Sequence, residues 1–156
     1  MSRAHVILFG NFNGERTECV SEAAREFGWK TLTVRHMDEM AVTPEPVAVL
    51  VNLRTLGDTW QQTLAALKAA LPYTCILVCL GFGERIDWVD LREAGAFDSL
   101  HLPFAEAEVR QTLGFVSSSQ QAGYLSHLVW LTANVRHAER SREAAEAAGA
   151  LSPTIH

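Results

Sequence analysis

Cysteine, positive charge and long apolar runs are all scarce in this chain, and each shortage excludes something. Only three cysteines, Cys19, Cys75 and Cys79, occur in 156 residues. They cannot all pair, so no disulfide framework is expected, and the usage suits a reducing cytoplasm. Cys75 and Cys79 share an apolar run. On a strand they would face the same way but stand ~13 Å apart, too far to share a metal, so both are read as core residues. His36, His127 and His137 lie at no recognisable ligand spacing, and no metal or other cofactor is expected. No apolar stretch approaches the ~18 residues of a membrane span. The short apolar start before Asn11 is no signal-peptide core, so a soluble, cytoplasmic protein is expected, with no membrane partner. Lysine and arginine number 13 against 18 aspartates and glutamates, a net charge of -5. Without a broad basic field, direct nucleic-acid binding by this segment is not expected.

What the chain does have is core. Apolar residues make up 48% and charged residues 20%, enough to exclude wholesale disorder. Val6 to Phe9, Val47 to Leu53 and Ile76 to Leu80 are continuous apolar runs, as in strands covered on both faces. Leu32 to Val34 and Phe97 to Leu102 are weaker strands. Between them run helical patterns. The first spans Glu15 to Phe27, closed by Gly28. The next spans Thr55 to Leu71, with Trp60, Leu64, Leu67 and Leu71 in register and Pro72 as the stop. Ile86 to Ala94 is closed by Gly95, and a last helix runs from Ala105 to Val116. Met37 to Pro46 predicts only an irregular helix. Five alternations of strand and helix predict a flavodoxin-like α/β fold: a doubly wound, five-stranded parallel sheet in the order 2-1-3-4-5. Sites in such sheets lie at the carboxyl ends of the strands, here Gly10-Asn11, Asn52 and Leu80-Gly81. The Gly10 to Gly14 turn matches no dinucleotide or phosphate-loop spacing.

The character changes near residue 117. Ser117 to Gln121 reads as a linker or as a solvated helical turn. Beyond it Tyr124, Leu128, Leu131 and Val135 follow the 4-3-4 spacing of a heptad seam. The domain reading is therefore 1–116 for the α/β body, 117–148 for a long C-terminal helical extension used for dimerisation or signalling, and 149–156 for a frayed tail.

The stretch Leu91-Arg92-Glu93-Ala94-Gly95-Ala96-Phe97-Asp98-Ser99-Leu100-His101-Leu102-Pro103-Phe104 resembles the end of a bacterial response-regulator receiver domain of the chemotaxis type. That family shows an alanine-glycine-alanine turn, a strand, and lysine-proline-phenylalanine. Pro46 to Asn52 resembles the receiver's third strand, which ends at the phosphoacceptor aspartate. The resemblance covers about residues 5 to 116. It implies that Asn52 stands at the acceptor position, Gly10 and Asn11 at the magnesium-binding acidic pair, Leu80 at the hydroxyl residue and Leu102 at the lysine. Ser99 stands at the switch aromatic. A neutral amide is no substitute for the carboxylate nucleophile. With ligands, hydroxyl and lysine also replaced, every contribution to phosphoryl transfer is absent.

The expected reading is a degenerate pseudo-receiver: a non-enzymatic signalling module, free-standing or the regulatory part of a longer transcription regulator. Its expected partners are itself, as a homodimer, and an unidentified signalling protein or effector domain. The resemblance implies a contact face with Ser99, His101 and Phe104, to which the tail seam of Tyr124, Leu128, Leu131 and Val135 is added. Two other readings compete. A small-ligand sensor would use the vacated pocket around Asn11, Asn52 and Gly81. An enzyme would need titratable groups there, for which Glu15, Asp58 and Glu84 are the candidates.

Overall fold

The structure is a computed structural model that describes residues 4–40 and 45–121. Five parallel strands form one sheet: β1 (His5–Phe9), β2 (Lys30–Val34), β3 (Ala48–Asn52), β4 (Cys75–Leu80) and β5 (Ala96–His101). Their order is β2-β1-β3-β4-β5, the flavodoxin-like arrangement expected from the sequence. The three runs that are apolar throughout occupy the middle of the sheet, and the alternating Lys30–Val34 and Ala96–His101 take its edges.

Alternation along the central strands divides the core in two. Val6, Leu8, Leu50, Leu77 and Cys79 pack on one face, against Val20, Ala23 and Ala24 of α1 (Glu18–Glu26). Val109, Leu113 and Val116, from the last helix, join the same layer. Ile7, Phe9, Val49, Val51, Ile76 and Val78 pack on the other face. Two short helices, α2 (Met37–Met40) and α3 (Leu53–Leu56), precede α4 (Trp60–Ala70) and α5 (Trp88–Glu93). Leu64 and Leu67 of α4 and Leu91 of α5 cover that second face, and Trp60 packs against it half-buried. Cys75 and Cys79 do share one face, in the first layer.

Three boundaries differ from expectation. The first helix begins at Glu18, three residues late, because Gly14 and Arg16 both take positive φ (78° and 63°) and hold the segment as a loop. Glu15 lies in that loop, and its backbone carbonyl accepts a 2.8 Å bond from the Phe104 amide. The helix expected from Thr55 is interrupted. Gly57 lies at φ 66°, ψ -146°, a conformation open essentially to glycine alone, and a single 3-10 turn, Gly57–Thr59, separates α3 from α4. The last helix, α6, spans 106–121 within the described residues, so Ser117 to Gln121 are helical. Near its end the Gln120 amide donates to the carbonyls of Val47 (3.1 Å) and Tyr73 (2.7 Å). That contact lies at the amino ends of β3 and β4, across the sheet from the strand ends that form the site.

Candidate functional site at the carboxyl ends of the strands

The loop after β1 brings Gly10 and Asn11 beside the end of β3. Asn52 is only 9% exposed. Its side-chain amide donates a 2.7 Å hydrogen bond to the Asn11 backbone carbonyl, and its oxygen accepts from the Arg54 amide at 3.1 Å, capping α3. Asn11 and Asn52 thus meet, through one side chain and one backbone group. The Asn11 side-chain oxygen is turned to the Asn13 amide (3.0 Å) instead. Gly10 is required where it stands. It sits at φ 109°, and a Cβ there would lie 2.9 Å from the Thr55 hydroxyl oxygen. That same oxygen accepts from the Asn11 amide at 3.4 Å.

At the end of β4, Leu80 is half-buried against the second core layer. Beyond it the Gly81 amide donates to Glu84 Oε1 (3.2 Å), and the Arg54 guanidinium stands 3.6 Å from the same oxygen. The two side chains crowd Gly81, where a Cβ would lie 2.8 Å from Glu84 Oε1 and 3.3 Å from Arg54 Nη2. Leu102 is buried in the first core layer, and its amide donates to the Leu80 carbonyl at 2.8 Å. The Leu102–Pro103 peptide is cis.

These positions supply no carboxylate to a metal. Gly10 has no side chain, the Asn11 carbonyl is occupied by Asn52, and Glu84 is engaged by Arg54 and the Gly81 amide. A hard divalent cation requires oxygen ligands, carboxylates above all, and the residues present do not fit a magnesium ion. The Asn52 amide offers no oxygen nucleophile for an acyl phosphate. Nor do the candidates for an enzymatic centre form one group: Glu15 is in the first loop, Asp58 is exposed on the 3-10 turn, and Glu84 is paired with Arg54. Among the described residues no cluster of three or more His, Cys, Asp or Glu side chains is placed to hold a metal ion.

One expected contact residue is corrected. Phe104 is 1% exposed and stacks on Phe12, with ring centroids 5.6 Å apart. It belongs to the first core layer and offers nothing to a partner. Ser99 is half-buried on β5. His101 is exposed, and its Nδ1 lies 2.8 Å from Glu108 Oε2 of α6. Tyr124, Leu128, Leu131 and Val135 lie outside the described residues.

Two of the site's residues, Gly10 and Asn11, also border open space. A cleft of about 380 Å³ lies over the ends of β1 and β2, lined by Gly10, Asn11, Thr17, Thr33, Arg35 and Thr55 among others. Asn52 and Gly81, which a ligand pocket was expected to include, do not line it. Arg54, Thr55, Thr33 and Arg35 escaped the sequence reading. The signal that points to Arg54 and Thr55 is positional: they open the helix directly after a buried strand.

Comparison with solved structures returns the same fold. A response regulator from Thermotoga maritima superposes with a TM-score of 0.61 at 15% identity, over 74% of this chain and 98% of its own. NtrX from Brucella abortus, in complex with ADP, gives a TM-score of 0.65 at 18% identity, over 81% of this chain and 29% of its own. A protein described as an adenylate cyclase from Rhodopirellula baltica gives 0.63 at 11% identity, over 83% of this chain and 98% of its own. No family model matches, and neither does any curated protein. The chain therefore has the fold of a response-regulator receiver domain. At these identities the likeness establishes the fold alone.

Proposed function

We propose that the chain is a pseudo-receiver, a signalling module that works through protein contacts without being phosphorylated and without catalysis of its own. The observation that carries this reading is Asn52. It stands at the acceptor position, buried, with both ends of its amide committed to the backbone of Asn11 and Arg54. The neighbouring positions agree: Gly10 and Asn11 lack carboxylates, Leu80 lacks a hydroxyl, and Leu102 lacks a charge. The homodimer is argued from the heptad seam of Tyr124, Leu128, Leu131 and Val135. Each leucine-sized side chain buried there contributes roughly 1.5–3 kcal/mol, which offsets part of the cost of association. A second contact face is favoured by the exposure of Trp88 and Val89 on α5 and Phe115 on α6, with Ser99 and His101 on the strand between.

The test is incubation of the full chain with acetyl phosphate and magnesium, read by intact mass. The expected result is no phosphate adduct, under conditions in which a phosphorylatable receiver run alongside acquires one. A stoichiometric, acid-stable but base-labile adduct on this chain would overturn the reading.

A further inference from the structure

The cleft over β1 and β2 combines one cation with several hydroxyl groups. The chain carries a net charge of -5, yet among the described residues no carboxylate lines this cleft and its one charged group is Arg35. Among the described residues Arg35, like Arg25, Arg85 and Arg92, has no ion pair, so its charge is open to a ligand. Around it are the hydroxyls of Thr17, Thr33 and Thr55 and the side chain of Asn11. The Thr17 hydroxyl makes no capping bond, though Thr17 stands at the start of α1. Thr55 accepts from the Asn11 amide, which leaves its own proton to donate. The Asn11 oxygen is bound to Asn13, which leaves its NH₂ group. The lining is thus rich in donors, with a single cation.

A guanidinium beside several hydroxyl donors recognises an oxyanion, since Arg forms paired charge-assisted bonds with carboxylate or phosphate. The volume falls within the range of small-molecule sites. Through Gly10 and Asn11 after β1 and Thr55 after β3 the cleft reaches the β1/β3 switch point, where such folds take ligands. We infer that this cleft binds a small oxyanion-bearing molecule, a phosphate monoester or a carboxylate on a polar body, with Arg35 as the anchoring cation and the threonine hydroxyls as orienting donors. The cleft shares Gly10 and Asn11 with the acceptor site but does not include Asn52, so failure of anion binding leaves the Asn52 argument for a pseudo-receiver untouched.

The test is titration of the ¹⁵N-labelled full chain with ribose 5-phosphate, succinate and neutral ribose. Ribose 5-phosphate or succinate, at concentrations on the order of 10 mM or below, is expected to shift the amides of Gly10, Asn11, Thr17, Thr33 and Arg35 saturably. Ribose is expected to leave them unmoved. Whichever anion binds more tightly shows whether phosphate or carboxylate is preferred. Arg35→Gln should weaken binding by about tenfold or more, with the rest of the spectrum unchanged. Thr33→Val should weaken it less, and provides a second variant should the first disturb the fold. Absence of cleft-localised shifts with both anions, equal shifts with ribose, or unaltered binding by both variants would each overturn the proposal. So would shifts scattered over every surface arginine, which mark an adventitious ion only.

Discussion

At the scale of single residues, Asn52 and Cys79 make the sharpest predictions. Asn52→Asp is the substitution that would superficially restore a phosphoacceptor. Here it replaces a donor 2.7 Å from the Asn11 carbonyl with a second acceptor, so two oxygens face each other in a buried place. Asn52→Asp should therefore lower stability by about 1–3 kcal/mol at neutral pH and still gain no phosphate. The strain falls on the ionised form, so the aspartate holds its proton to a higher pH when folded than when unfolded. The deficit should be smallest in acid and grow as pH rises through that folded pKa. Urea midpoints of both proteins at several pH values check this. Cys79 follows the same sign on the alkaline side of neutrality. Burial pushes its thiol well above the ordinary value, so the folded chain keeps the proton after the unfolded chain has lost it. Its contribution is fully present below ~8.5, the ordinary thiol pKa, and is lost as pH rises beyond it. Cys79→Ala should cost about 1 kcal/mol near neutrality and flatten the alkaline fall in stability. Burial likewise raises the Cys75 thiol, against hydrogen bonds from Gln120 and Ser119 that lower it.

At the scale of elements, periodicity made the sheet legible and backbone exceptions did not show. Three uninterrupted apolar runs located β1, β3 and β4, because strands buried on both faces must be apolar on both. The break at Gly57 was missed because Trp60, Leu64 and Leu67 keep helical spacing after it, and apolar spacing does not register a single residue's φ. Gly57→Ala should cost about 1–3 kcal/mol while leaving the far side of the sheet unaltered in hydrogen exchange. The late start of α1 was missed for the same reason, since Arg16 at positive φ has no signature in composition. Phe104 was misassigned because its motif was read for a family's contact face rather than for its own burial. As a core side chain stacked on Phe12, Phe104→Ala should cost about 3–5 kcal/mol. A surface residue would cost almost nothing, and a thermal melt separates the two.

At the scale of the whole molecule, the strand order and strand ends were legible and the cleft was not. Asn52, Gly10, Asn11, Leu80 and Leu102 were named from the resemblance to a receiver domain, and the structure sets each at or next to the carboxyl end of a strand. Thr33 and Arg35 lie on an edge strand and the loop beyond it. The expected strand order already set β2 beside β1, but no motif marks Thr33, Arg35 and Thr55 as groups that line one cleft. The ion pair of Arg54 and Glu84, two groups far apart in the chain that meet over Gly81, was hidden similarly. For the molecule as a signalling unit, the tail is the element proposed to join two copies. A chain ending at Gln121 keeps both core layers and the Gln120 contacts with Val47 and Tyr73. It should stay folded and become monomeric.

Phosphorylation-independent assembly is tested most directly by light-scattering mass of the full chain, with and without acetyl phosphate and magnesium. The account predicts a dimer of the same mass in both conditions. A monomer, or a mass that changes when the phosphodonor is added, would contradict it.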